Sequence, residues 1–282
     1  MQRSRTWPAL IAAALVALPA LIGIGYALLG ALGTVGPARD AGAGRITRVL
    51  SDPAVWSGLG WSVWTAFAAT ALAFIAAALL AIAFRGASRL DAVARFLLIA
   101  PLPVPHLAAA VMGVLILGQS GLLARIAAAL GWIAQPAQMP ALIYDVAGTG
   151  FVLSMAWKEI PFLALIAMTL LAQRGTAWEE AARTLGAGPW KTLRLVTWPA
   201  LWRGMLPGAT AAFVFVAGTF EATALLAPSR PLPLSVLQIE RYTDANLARR
   251  GDAYVIALLF FALAAIAVVI HEWSRARARE GT

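Results

Sequence analysis

The sequence predicts an all-α, polytopic membrane protein of about six transmembrane helices, and three observations carry that prediction. Of its 282 residues 61% are hydrophobic and only 12% charged, with a mean hydropathy of +0.79; a soluble domain carries about 25% charged residues and about 45–50% apolar ones. Leu, Ile, Val, Phe and Ala come in long blocks rather than in alternation. Six of those blocks reach the ~20 residues that a helix rising about 1.5 Å per residue needs to cross about 30 Å of hydrocarbon.

Taken in order, the blocks run approximately Pro8–Gly30, Gly58–Phe84, Phe96–Gly118, Ala141–Ala172, Met205–Ala227 and Ala253–His271. The first is longer than the ~7–15-residue core of a secretory signal and has no convincing small-residue cleavage site. It reads as a retained span that doubles as the insertion signal. Leu122–Ile133 is too short to cross and reads as an interfacial or loop helix. No internal repeat, low-complexity linker or soluble domain interrupts the series, so residues 1–282 read as one transmembrane domain.

The loops between blocks carry most of the charge. The chain has 22 basic and 13 acidic residues, a formal charge of +9. In a soluble protein that balance suggests nucleic acid, but no basic patch interleaves with aromatics on a soluble element, which argues against such a partner. In a membrane protein, loop arginines and lysines set orientation instead. With the N-terminus inside, the inner set is Arg3, Arg5, Arg85, Arg89, Arg95, Arg174, Arg183, Lys191, Arg194, Arg203, Arg275, Arg277 and Arg279. The outer set is Arg39, Arg45, Arg48, Arg125, Arg230, Arg241, Arg249 and Arg250, partly neutralised by Asp40, Asp52, Glu240, Asp244 and Asp252. Thirteen against eight favours both termini in the cytoplasm. Trp7, Trp56, Trp61, Trp132, Trp178 and Trp273 fall near span ends, where an indole suits the headgroup layer.

The longest polar stretch, about residues 173–204, is where the chain says most. Glu179 and Glu180 stand early in a short helix, where negative charge suits the positive helix end. Ala181 and Ala182 are small enough to let another surface come close. Gly186 and Gly188 stop that helix, and Pro189 fits the first turn of the next. Trp190, Leu193 and Val196–Thr197 then form an apolar side, with Lys191 and Arg194 on the wet side. These features predict a rigid helix–turn–helix knob able to pass motion between a soluble partner and the spans.

The same segment resembles the loop signature of binding-protein-dependent ABC importer permeases: Glu-Ala-Ala, three residues, Gly, nine residues, Ile-x-Leu-Pro. Glu180-Ala181-Ala182, Gly186 and Val196-Thr197-Trp198-Pro199 keep every spacing, with Val196 in place of isoleucine and Trp198 in place of leucine. The resemblance implies a methionine-permease-like importer fold in the bacterial inner membrane, with Glu180, Ala181, Ala182, Gly186 and Pro199 in the ATPase-coupling loop. It also implies the partners: ABC ATPase subunits, a second permease copy or paralogue to complete the pore, and a periplasmic solute-binding protein. A weaker likeness joins Gly218–Thr223 and Leu232-Pro233-Leu234 to segments of permeases for oxyanions, iron and related solutes. The glutamate is displaced two places, so iron, sulfate or molybdate, thiamine and polyamines all stay open as substrates.

Lys158 and Glu159 lie inside the fourth block, where a charge at a helix centre costs roughly 2.5–3.5 kcal/mol on translocon scales. With Glu221 in the fifth they are candidates for the translocation path or a gate; the structural alternative is an ion pair, to Glu221 for example. Ser154 lies four residues before Lys158, but nothing nearby supplies an oxyanion hole, so a membrane-embedded hydrolase is the weakest reading. An ion-driven secondary transporter is the other alternative, and such proteins often show inverted repeats. His106 and His271 stand alone and read as structural, so no metal or other cofactor is expected. Cysteine is absent, which excludes disulfides and thiolate sites. No phosphate-binding Gly-x-x-x-x-Gly-Lys-Ser/Thr loop occurs, so ATP hydrolysis belongs on another chain.

Overall fold

Prolines, glycines and a run of alanines decide most of the architecture in the computed structural model, which describes residues 6–36, 42–174 and 176–280. Its helices are α1 (Thr6–Ala31), α2 (Gly42–Leu50), α3 (Pro53–Ala83), α4 (Arg89–Ile99), α5 (His106–Leu117), α6 (Leu122–Ala129) and α7 (Thr149–Arg174), followed by α8 (Ala177–Thr184), α9 (Pro189–Thr192), α10 (Trp198–Gly218), α11 (Glu221–Leu226), α12 (Leu234–Thr243), α13 (Leu247–Arg250) and α14 (Asp252–Glu280). There is no strand among the described residues. Arg3, Arg5, Arg39 and Asp40 of the charge count, and Gly175 of the loop, lie outside them.

The centre of the bundle is α3 packed on α7 and α10. Ala66, Ala69, Ala73, Ala77 and Ala81 recur at helical spacing and are buried, forming a smooth stripe on α3. In lipid, such small residues let backbones approach and gain van der Waals contact where no hydrophobic drive exists between helices. Ala156, Leu163, Ala164 and Ala167 of α7, with Leu201 and Met205 of α10, fill the facing side. Gly204 lets α10 close on α7, since a Cβ there would stand 2.6 Å from Leu170 Cδ1. By contrast α1 is largely exposed and packs on α14 and α2 at the edge of the bundle.

Among the described residues six helical stretches are long and apolar enough to cross a membrane: Ile11–Ala31, Pro53–Ala83, His106–Ala129, Thr149–Gln173, Pro189–Gly218 and Leu247–Arg277. The count agrees with the sequence, and the third, fourth and fifth spans move, the fourth beginning at Thr149 and not at Ala141. The third does not run over Phe96–Gly118. Pro101, Pro103 and Pro105 each disfavour helix in the residue before them, so α4 stops at Ile99 and the span begins at His106. The Leu122–Ile133 segment, expected as an interfacial helix, supplies the far end of this span as α6. The fifth span starts earlier than Met205 and ends at Gly218; Thr219 is extended (φ −67°, ψ 130°), and Glu221–Leu226 forms its own short helix. Trp61 was expected at the interface. It is instead 5% exposed, two turns inside α3, with its indole N–H donating to the Val146 carbonyl at 2.9 Å.

The end of the bundle away from the 173–204 loop is tied by ions. Arg45 is fully buried; its Nη1 donates to the Gly30 carbonyl at 2.6 Å, and its Nε lies 4.0 Å from Asp252 Oδ1. Arg48 Nη2 reaches the same oxygen at 2.7 Å. Arg241 of α12 bonds Asp52 at 2.8 Å, and Asp52 also caps α3 by accepting from the Ala54 N–H. Arg249 pairs with Asp244 at 3.6 Å. Three of the acids counted against the outer arginines thus do meet them. A cavity of about 250 Å3 opens among Arg48, Asp52, Arg241, Arg249 and Asp252.

Candidate functional site

The loop after α7 folds as its glycines and prolines dictate. α8 ends at Gly186, which adopts φ +83°, a left-handed conformation that glycine takes without a Cβ clash. The Gly186 N–H donates to the Arg183 carbonyl at 2.9 Å and the Ala187 N–H to the Ala182 carbonyl at 3.0 Å. This is the paired closure of a Schellman motif. Gly188 is extended, Pro189 opens α9, and a π turn over Leu193–Thr197 leads into α10. Pro199 has no N–H for the preceding turn, and the turn that widens is the one before it.

One carboxylate holds this knob to the bundle. Glu179 is 6% exposed; its Oε1 accepts from Arg85 Nη1 at 2.7 Å and from the Thr197 hydroxyl at 2.6 Å. Arg85 follows the end of α3 and Thr197 closes the π turn, so a single residue of α8 joins both. Burial pushes the Glu179 carboxyl up, but the Arg85 and Thr197 bonds outweigh it and hold it below the usual carboxylate range.

Glu180 points the other way. It is exposed and accepts from the Thr176 hydroxyl; toward the far end of α8 Ala181 and Gly186 are exposed and Ala182 is half-buried. The knob carries apolar surface: Leu185 is 88% exposed, Trp190 71% and Trp178 70%. Trp190, expected on the packed side of the second helix, is therefore outside it. Pro199 is exposed at the root of α10, apart from the other four residues.

Within α7, Lys158 and Glu159 are both buried, and both hold the break between α4 and α5. Lys158 Nζ donates to the Leu102 carbonyl at 3.1 Å. Glu159 Oε1 lies 3.1 Å from His106 Nε2, and the His106 ring packs on Phe215 of α10 with centroids 4.4 Å apart. The ion pair to Glu221, one of the alternatives, is not among those described; Glu221 is exposed at the first position of α11. The Lys158 amine goes to the break rather than to Ser154, whose buried hydroxyl has no hydrogen-bond partner.

The comparisons with known proteins bear on this arrangement directly. The family described as "Binding-protein-dependent transport system inner membrane component" matches residues 73–280. The chain belongs to this family. It is a membrane-embedded permease subunit of an ABC importer, and it is not an enzyme: in this family ATP hydrolysis lies in separate subunits. The permease is 28% identical over 260 residues to the molybdenum transport system permease protein ModB of Mycobacterium tuberculosis, covering 90% of this chain and 91% of that one. It is 27% identical over 182 residues to the sulfate transport system permease protein CysW of Synechococcus elongatus, covering 63% and 58%. Its fold superposes on a bacterial alginate ABC transporter chain with a TM-score of 0.75 at 15% identity, over 98% of this chain and 94% of that one. The MetNI methionine ABC transporter gives 0.58 at 16% identity, over 80% and 98%.

Two residues of the permease escaped sequence reasoning. Glu179 was weighed only as a charge at a helix start, although it anchors the loop. His106 was read as a lone structural histidine, yet it partners a charge of the fourth span. Its position directly after three alternating prolines was the available signal, since a polar residue there meets a helix start with unpaired backbone groups.

Proposed function

We propose that this permease forms half of the translocation path of an ATP-driven importer, with residues 1–282 acting as one permease domain. The knob at about 173–204 seats in an ATPase subunit on the cytoplasmic side. The observation that carries this reading is the division of labour on α8: Glu179 is locked inward while Glu180, Ala181 and Gly186 are exposed, with half-buried Ala182 between them, beside exposed Leu185 and Trp190. A stiff knob with an uncovered apolar end transmits force only if another protein covers it. Pro199 acts at the root, where the widened turn meets the fifth span.

Both termini lie in the cytoplasm on this reading. The basic residue count supports that orientation, as do the acids that neutralise the opposite end. A second permease copy or paralogue completes the pore, and a periplasmic binding protein delivers the solute. One of the solved alginate transporters is a complex with a ligand-bound periplasmic protein. The substrate class is an oxyanion, as in the molybdenum and sulfate systems that the curated relatives serve. Lys158, Glu159 and Glu221 line the path or its gate.

A pull-down of tagged wild type and Gly186→Asp in mild detergent, read by mass spectrometry, tests the core of this reading. Wild type should retain an ATPase and the variant should lose it. Wild type that retains no ATPase under any gentle condition would overturn the docking assignment.

A further inference from the structure

A cavity of about 470 Å3 opens at the loop end of the bundle, between the turn that follows α3 and the last turns of α7. One wall is apolar, made by Ala81, Met168 and Leu171; the other carries Arg85, Arg95 and Thr176. Both arginines make their hydrogen bonds through Nη1. Arg85 uses it for Glu179 at 2.7 Å, and Arg95 uses it for the Phe84 and Gly86 carbonyls at 2.6 and 2.7 Å. Nε and Nη2 of each guanidinium are left to serve another acceptor. Of the acids nearby, Asp91 is engaged by the Ser88 N–H and hydroxyl and Glu180 by the Thr176 hydroxyl, while Glu179 meets Arg85 through Oε1 and keeps Oε2 without a hydrogen-bond partner.

The position of the cavity restricts the ligand. α3 ends at Ala83 and α7 at Arg174, so the cavity lies where both spans leave the hydrocarbon. Two guanidiniums on one wall and methyl-rich side chains on the other suit a group with a phosphate at one end and an alkyl chain at the other. We propose that this cavity binds the phosphate of an acidic phospholipid, with its acyl chain against Ala81, Met168 and Leu171. The inference goes beyond the coupling reading and does not depend on it. Its interest is that the lipid phosphate draws on the same Arg85 that holds Glu179.

The test is native mass spectrometry of the purified chain in mild detergent, titrated with phosphatidylglycerol, phosphatidylcholine or inorganic phosphate. Wild type should retain phosphatidylglycerol in preference to phosphatidylcholine. Arg95→Gln should weaken that binding roughly fivefold, the share of one arginine near a charged headgroup. Ala87→Glu, which sets a carboxylate on the cavity wall and removes no hydrogen bond, should weaken it at least as much, and it keeps the test alive should Arg95→Gln fail to fold. Equal retention of the two lipids, or phosphatidylglycerol binding unchanged in Ala87→Glu, overturns the site. Displacement of the lipid by millimolar inorganic phosphate overturns the assignment to lipid.

Discussion

At one end of the bundle Asp252 collects Arg45 and Arg48 onto the start of α14 while Arg241 crosses from α12 to Asp52; at the other, Glu179 alone bonds both Arg85 and Thr197. The first end spreads its ties over four helices or their caps. The second concentrates them on one carboxylate beneath an exposed knob. A part that must stay put gains from distributed contacts. A part that must respond to a partner gains from one contact that positions it and leaves the working face clear.

Substitutions can separate the two ends, and the largest effect should be on function alone. Gly186→Asp puts a side chain where nothing of the chain lies within 4 Å, at a φ that aspartate tolerates better than most residues. Membrane level and thermal stability should stay near wild type while ATP-driven solute uptake falls to background; uptake at wild-type rates would break the comparison. Next comes Asp252→Ala, which removes the carboxylate shared by buried Arg45 and by Arg48. Breaking a buried charge pair costs about 3–5 kcal/mol, to be read as a clear drop in unfolding temperature in detergent.

Glu179→Gln should come third. It weakens two charge-assisted bonds worth about 1.5–3 kcal/mol each at most, so the visible change is faster hydrogen exchange over residues 177–184 with the spans unaffected. Acid should reproduce it with a definite sign. The folded Glu179 carboxyl titrates below its ordinary value of 4.5, so its stabilisation is full above the unfolded value and is lost as pH falls through the folded one. Protection over 177–184, taken relative to the intrinsic exchange rate at each pH, should therefore be steady from neutral pH to about pH 5.5 and fall as the pH drops below the unfolded value toward the folded one. Smallest is Arg241→Gln. Its ion pair with Asp52 is partly exposed, with side chains 18% and 29% accessible, and a loss of about 1 kcal/mol or less is expected by the same unfolding measurement.

How much of this was legible in the sequence depends on whether a feature is local. Gly186 and Pro189 state their own backbone demands, so the helix–break–helix of the knob follows from their spacing. The count of six spans follows from block length. The breaks at Pro101–Pro105 and Gly218–Thr219 moved two boundaries because hydropathy runs straight through them, whereas backbone geometry does not. Glu179 and Glu180 differ by one position, about 100° around a helix, and only Arg85 and Thr197, 94 and 18 residues away, decide which of them turns inward. The pairing of His106 with Glu159 spans 53 residues, and no pattern in either segment points to the other.

The edge position of α1 sets an order of events during synthesis. This helix is made before the other described ones, yet Tyr26 and Gly30 find their partner in Tyr254 of α14. Until α14 emerges, α1 has mainly lipid and the short α2 beside it, while α3, α7 and α10 can already have closed on one another. The seam between α1 and α14 is thus the final one to zip, and the Arg45 and Arg48 contacts to Asp252 are among those awaiting α14.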